Sequence, residues 1–564
     1  MLCCMSDSFS AVSARVRSIL LWLGPLTSLA IAPYSNFDPI NLVKLLFVVS
    51  LSFGIVFLSF GVGIRAAIRE NRKLFLMSLL FIVWLFVAMI FSDASWSQQF
   101  WGVFGRNTGG LTYFSLVVVL FATAVNRDLS FYRKLVDALI LTSVPMTIYA
   151  SIQLAGRDPI SWSEMAPFAT LGNINFSSAF FGLAALCSLT LVFDSTNSKG
   201  PRIALLSLAL IQMLIVLKTG SIQGFMIFIA GLGFTTFLWI RTRPRLKFLQ
   251  LPYVLLGLVG FGLVVASLFN VGPLARFVFQ ISVLFRFDYW YAGWMMTLKS
   301  PFVGLGLDSY GDWYRELRGE VATLRTGPDR ITNTAHNIYL DISASGGFPL
   351  LLFYLLILGI ALKSAFKVMK RQTQFDPYFS ALLSTWIAYL IQAGVSINQI
   401  GVGIWGWLFT GALIGYEVVT REQSDKSKVR SVIRQPSREL PASASLLGIL
   451  GFSLGFVLAF IPLKADADFK GTLQRGALDE RFTASKALGA TLFHLELTLD
   501  AAIRANDQRL TIEVMNELLQ RNPRDFMAWQ VKQILTSSTP EEREFAYQRL
   551  KRLDPYNPNI VRSN

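Results

Sequence analysis

Arg72-Lys73-Leu74-Phe75-Leu76-Met77-Ser78-Leu79-Leu80-Phe81-Ile82-Val83-Trp84-Leu85-Phe86-Val87-Ala88-Met89-Ile90-Phe91-Ser92-Asp93 sets the class of fold. Between Lys73 and Asp93 only Ser78 and Ser92 are polar, and neither is charged. The run has about the twenty residues that an α-helix needs to cross a bilayer. Lipid offers a backbone no hydrogen-bond partner, so a lone apolar run of this length must be helical to span it. Similar runs recur near 18–33, 41–63, 110–126, 135–153, 175–193, 203–218, 222–240, 251–269, 348–366, 378–396, 400–418 and 443–462. Pro25 interrupts the first, and no small-residue cleavage site follows, so it is read as an uncleaved span. The expected fold is all-α: a polytopic transmembrane helical bundle of about 12–13 spans. Across 564 residues, 53% hydrophobic and 15% charged side chains fit that class.

The charges give a direction. Arg65, Arg69, Arg72 and Lys73 follow the second run, and Arg127, Arg133 and Lys134 the fourth. Lys199 and Arg202 follow the sixth; Arg241, Arg243, Arg245 and Lys247 the eighth. Lys363, Lys367, Lys370 and Arg371 follow the tenth, and a basic stretch from Arg421 to Arg438 the twelfth. Lys and Arg collect on the cytoplasmic side of short loops, so these loops and the N-terminus are expected there. Much of the formal charge of +16 falls in them, which argues for a lipid bilayer and no nucleic acid as partner. Cys3 and Cys4 sit in the N-terminal tail and Cys187 in an apolar run, with neither disulfide framework nor metal spacing.

Loops of the opposite parity are 93–109, 154–174 and the largest, 270–347. Their tryptophans Trp96, Trp101 and Trp162 suit interfacial anchoring. After 463 the chain turns polar, dividing it into a membrane domain, 1–463, and an extracytoplasmic tail, 464–564. Leu518-Leu519-Gln520-Arg521-Asn522-Pro523 and Leu550-Lys551-Arg552-Leu553-Asp554-Pro555 stop two helical patterns at a spacing near that of tetratricopeptide-like repeats. Two such copies bury little core alone, so a small helical domain packed on the membrane part is expected.

The loop 270–347 holds the side chains with chemistry. In Arg286-Phe287-Asp288-Tyr289-Trp290-Tyr291-Ala292-Gly293-Trp294, a helix places Arg286, Trp290, Gly293 and Trp294 on one face. A guanidinium can clamp a phosphate bidentately while the rings flank a sugar or a lipid chain. An interfacial helix whose Arg reaches headgroups is the plainer reading of that stretch. In Pro301-Phe302-Val303-Gly304-Leu305-Gly306 the glycines allow a tight turn whose amides can face an anion. His336, one of two histidines, stands in Asn333-Thr334-Ala335-His336-Asn337-Ile338-Tyr339-Leu340, and an imidazole is a base near neutrality. Asp308 and Asp312 are alternative bases. Asp466 and Asp468 form an acidic pair without further carboxylates, and no metal is expected. His494 falls in the tail without comparable neighbours.

Taken in order, Arg286 with Trp290 and Trp294, then Pro301-Phe302-Val303-Gly304-Leu305-Gly306, His336-Asn337-Ile338-Tyr339-Leu340 and Gly346-Gly347-Phe348-Pro349 resemble the O-antigen ligase and O-antigen polymerase superfamily of bacterial membrane glycosyltransferases. Phe104-Gly105-Arg106-Asn107-Thr108-Gly109-Gly110 is similar to the family's first outer loop, and Leu171-Gly172-Asn173-Ile174-Asn175-Phe176 to its Gly-Asn-x-Asn entry to a span. The resemblance covers about residues 10–420. It implies transfer of a glycan from undecaprenyl diphosphate to a saccharide, lipid A core or protein acceptor at the outer face of the bacterial inner membrane, without metal or cofactor. It further implies His336 as catalytic base and Arg286 as a diphosphate ligand, with Trp290, Trp294, Asn337 and Tyr339 toward glycan or lipid. The family's second arginine is missing: Lys218-Thr219-Gly220-Ser221-Ile222 has Ile222 in its place, leaving Arg106, or else Lys218, as the second cation.

The alternative is a transporter or flippase of lipid-linked saccharide. Transport folds carry ionisable groups and broken helices near mid-membrane, whereas here Arg, His and Trp gather in loops of one parity. A scaffold built on the tail leaves Arg286 and His336 without a role.

Overall fold

The computed structural model describes residues 2–60, 64–162, 167–425 and 442–561. The side chains of Cys3, Cys4 and Arg65, and most of the basic stretch from Arg421 to Arg438, fall outside the described residues. Every described regular element is helical. Among the described residues, ten helices are long and apolar enough to cross a membrane: Asn41–Phe60, Arg72–Ile90, Leu129–Leu154, Ile174–Leu191, Lys199–Lys218, Ile222–Arg241, Pro244–Leu268, Ile338–Arg371, Ile400–Gln423 and Ala442–Arg475. The other three expected runs are also helical but miss that standard. Gly110–Ala124 has 15 residues and Pro377–Ala393 has 17. Leu2–Leu29 is diluted by Arg15, Arg17 and Pro25. The two short helices are mostly buried, so protein supplies the surroundings that a lone span would need lipid to provide. Ile400–Gln423 is the axis of the bundle, with 94% of its apolar window buried, whereas Pro244–Leu268 stands at the rim with 6%.

The expected loop 270–347 is largely helical. It contains Ala275–Val278, Ile281–Lys299, Tyr310–Leu317 and Glu320–Thr326, and the tenth expected span starts at Ile338 instead of 348. That helix is two pieces joined at a break, with Gly347 at φ 71°. Periodicity misses such a start because Pro349 and the glycine pair read as a boundary, yet the chain resumes its helix beyond them.

Loops separate by charge to two ends of the bundle. At one end Arg127 pairs with Glu70 (3.0 Å), Arg371 with Glu417 (2.8 Å), and Arg17 lies 3.7 Å from Asp128. The other end gathers 30–41, 92–109, 300–337, 395–399 and the tail, tied by bonds such as Asn41 Nδ2 to Gly105 O (2.9 Å) and Gln98 Nε2 to Asp312 (2.8 Å).

The helix Ala442–Arg475 lies closely against Asn41–Phe60. A Cβ on Gly455 would come within 2.8 Å of Val49 O, and one on Gly451 within 2.5 Å of Phe57 Cβ, so glycine permits the approach. The same helix runs through position 463, where the division between membrane domain and tail is expected, and emerges into five short helices, Leu478–Ser485, Leu492–Arg504, Gln508–Arg521, Phe526–Ile534 and Pro540–Leu553.

The tail is docked by buried polar groups. Asp554, fully buried, accepts from Arg318 (2.7 Å) and Arg315 (3.1 Å). Asp466 accepts from Phe37 N (2.6 Å), Asp38 N (3.0 Å) and Asn36 Nδ2 (3.2 Å), and meets His494 Nε2 at 3.1 Å. His494 therefore does have company: it is buried, packed on Phe469 at 4.4 Å between ring centroids, and accepts at Nδ1 from Thr491 N. The sequence hides this because Asp466 and His494 lie on different helices. Removing one partner from a buried pair leaves the other's charge uncompensated, so Asp554→Ala is expected to cost about 3–5 kcal/mol. Thermal unfolding of the purified protein measures it; a loss below about 1 kcal/mol contradicts the docking role.

Candidate functional site

The site forms where Ile338–Arg371 begins. Asn337 is its N-cap, and its side-chain oxygen accepts from Tyr339 N (3.0 Å) and Leu340 N (3.2 Å). One residue earlier the chain turns sharply, with His336 at φ 52°, a conformation uncommon among L-residues and most frequent in Asn, Asp and His. Asp341 fixes the turn from the first turn of the helix, accepting from Ala335 N (2.8 Å) and Thr334 Oγ1 (2.6 Å). His336 N in turn donates to Thr334 Oγ1 (3.2 Å). Behind it Arg106 donates to Asn333 O and stands 3.7 Å from Asp341. The strain is thus over-determined by hydrogen bonds and an ion pair, as is common at functional sites.

Ile281–Lys299 packs on this segment. A Cβ on Gly293 would be 3.3 Å from Ala335 Cβ, and Thr297 Oγ1 meets Ser343 Oγ at 2.8 Å. Tyr289 stacks over the imidazole, ring centroids 5.3 Å apart and planes at 27°. One turn before it, Arg286 donates to Val395 O and Ser282 O, each at 3.1 Å, and has no carboxylate partner among the described residues. Burial first, then the positive charges of Arg286 and Arg106, push the His336 pKa down to about 3. No described side chain hydrogen-bonds the ring. The result is a neutral, half-buried imidazole flanked by two guanidinium groups.

The glycine turn has a different job from the expected one. Its amides are already bonded: Gly304 N to Ser300 O (3.0 Å), Leu305 N to Ala344 O (2.8 Å) and Gly306 N to Ser345 O (3.1 Å). Phe348 N completes the joint on Pro301 O (2.8 Å), and Trp84 Nε1 donates to both Phe302 O and Gly346 O. The turn therefore plugs the break in Ile338–Arg371, and the amides of Gly304, Leu305 and Gly306 are not available to an anion.

The remaining candidates divide. Trp290 is partly buried beside Phe287, and its Nε1 has no partner among the described residues. Trp294, 45% exposed, leans on Phe348. Tyr339 spends its hydroxyl on Leu390 O (3.0 Å). Lys218 is exposed at the end of its helix, and no contact joins it to His336. Ile222 is 37% exposed at the start of Ile222–Arg241, so no cation stands there.

The alternative acids are structural. Asp308 accepts from Val103 N (3.0 Å), Thr108 N (3.2 Å) and Thr108 Oγ1 (2.8 Å), which shapes the 102–108 loop that delivers Arg106. Asp312 accepts from Gln98 (2.8 Å) and from Asn522 of the tail (2.9 Å). Asp466 is the buried hub described above, and exposed Asp468 pairs with Lys464. The sequence reading missed Tyr289 and Asp341. Both follow a recognised residue by three to five positions, and helical phase from Arg286 would have offered Tyr289 as a neighbour.

Residues 203–355 match the family model described as O-antigen ligase. That interval contains Lys218, Arg286, Trp290, Trp294, His336, Asn337 and Tyr339, and leaves Arg106 outside. No curated protein matches the chain at a significant level. With the polytopic helical fold, this match supports an O-antigen ligase domain at residues 203–355.

Proposed function

We propose that the protein transfers a glycan from undecaprenyl diphosphate to an acceptor hydroxyl at the outer face of the bacterial cytoplasmic membrane, inverting the anomeric carbon and using no metal. The match of residues 203–355 to the O-antigen ligase model supports the general activity, membrane glycan transfer. The finer reading rests on one observation: an imidazole unbonded by any described side chain, between Arg106 and an Arg286 that lacks a carboxylate partner.

The acceptor oxygen attacks the anomeric carbon while the bond from that carbon to the diphosphate oxygen breaks. The electron pair leaves with the lipid diphosphate, whose growing charge Arg286 and Arg106 offset, so no general acid is needed. The hydroxyl proton passes to His336, which is neutral in the free enzyme and becomes a stronger base when the diphosphate's negative charge offsets Arg286 and Arg106. Asp341 is a positioning residue for that base. The segregation of basic loops to the far end of the bundle supports an outward-facing site.

Glycans from a deletion strain, complemented with wild type or His336→Ala, test this. Deletion and variant are both expected to accumulate lipid-linked glycan, long polymer for a ligase and single repeats for a polymerase. Normal glycans from His336→Ala would contradict a catalytic histidine.

A further inference from the structure

A cavity of about 930 Å³ lies between the tail and the membrane domain. One wall is Ser97, Gln98 and Phe104; the other is Phe493, Phe526 and Gln530 of the tail. Its inner edge is Asn333, whose carbonyl Arg106 holds, three residues from His336. Arg286, Trp290, Trp294 and His336 do not line it. The cavity therefore lies three residues along the chain from the base and apart from Arg286, Trp290 and Trp294.

Its arginines and carboxylates are neutralised internally. Arg524 pairs with Glu316, Arg315 with Asp554, and Arg521 with Glu517. Asp312 is bonded to two amides, and Glu496 bonds to Asp525, where burial raises both carboxyls and keeps a proton on the pair. Besides Lys486, whose ammonium lies 4.1 Å from the Phe482 ring centroid, what remains free is neutral: the side-chain amides of Asn333 and Gln530 and the hydroxyl of Ser97 make no hydrogen bond to any described residue. Aromatic faces beside neutral hydrogen-bond donors and acceptors match the alternating CH faces and hydroxyls of a sugar. A phosphate would find every guanidinium in the lining already paired and the single exposed ammonium of Lys486 for a partner.

We infer that this cavity binds the saccharide end of the acceptor and presents its hydroxyl to His336, an assignment that rests on the transferase reading above. The tail is then one wall of the acceptor site. Ser97→Trp and Gln530→Trp fill the cavity from its two walls at positions that are not buried.

Two readouts are taken on the full-length protein in lipid nanodiscs: acceptor KM in the transfer assay, and saturation-transfer NMR with free oligosaccharide hydrolysed from the host's own envelope glycan. Both variants are expected to raise acceptor KM by about tenfold or more, to leave donor KM unmoved and to erase the NMR signal that wild type gives. Unchanged acceptor KM in both folded variants overturns the inference, as does transfer by a wild type that shows no sugar binding. Sugar binding that both variants lose, in a protein that transfers nothing, supports the site while refuting the transferase reading.

Discussion

His336→Ala is expected to lower glycan transfer by about 10²–10⁴-fold, the contribution of a positioned general base, while the protein remains inserted and abundant. The ring has few structural duties: its stacking on Tyr289 is lost, but no described side chain bonds to it. A stability loss therefore does not account for the expected effect, and turnover per folded molecule is the quantity to measure. The pH profile adds a second signature. The working form of the base is the neutral one, and a pKa near 3 keeps it neutral from pH 8 down to pH 5. In the free enzyme kcat/KM should show no acid limb from His336 near 6.5, where an ordinary imidazole titrates. A bound diphosphate brings negative charge beside Arg286 and Arg106 and offsets their effect on the ring. The pKa then rises, so kcat, which reports the complex, should acquire an acid limb at higher pH than kcat/KM. Identical limbs in both profiles contradict the two-cation arrangement.

Arg286→Ala carries the second large effect. Removing one preorganised charge from a site of developing negative charge typically costs about 10²–10³-fold in turnover. Arg286 donates only to two carbonyls and faces no acid, so its charge is otherwise uncompensated. Arg286→Lys should rescue little, because an ammonium cannot grip a diphosphate bidentately while holding Val395 O. Lys218 provides the contrast: exposed and without a contact to His336, its replacement by Ala should change turnover by less than about threefold. A larger loss in Lys218→Ala than in Arg286→Ala would move the second cation to Lys218. Arg106→Ala is a poorer probe, since it also strands buried Asp341 and frees Asn333 O.

The helical membrane fold was legible because each span carries its own signal. Leu74 to Ser92 needs no partner to be read as a helix, and the basic loops give parity without any contact information. The same independence explains the errors in extent. Gly110–Ala124 and Pro377–Ala393 are short because protein surrounds them, a fact about neighbours. Ile338–Arg371 begins early because the 301–306 turn fills its break, and two segments separated by some forty residues have to meet before either makes sense.

At the site, His336 and Arg286 stood out by rarity and company. Arg106 came from weighing a missing family residue. Asn337 and Tyr339 are instead absorbed by a helix cap and a bond to Leu390 O. Tyr289, Asp341 and the Asp466–His494 contact were hidden because their meaning lies in pairing across helices. An acid five residues after a histidine says nothing until the backbone turns back on it.

The most direct measurement is release of undecaprenyl diphosphate from a lipid-linked glycan by purified protein in nanodiscs, with acceptor present and divalent metal chelated. The account requires one diphosphate lipid released per glycosidic bond formed, inversion at the transferred anomeric carbon, and loss of both products in His336→Ala and Arg286→Ala. Transfer that stops on chelation and returns with added metal, or that persists in His336→Ala, would contradict it.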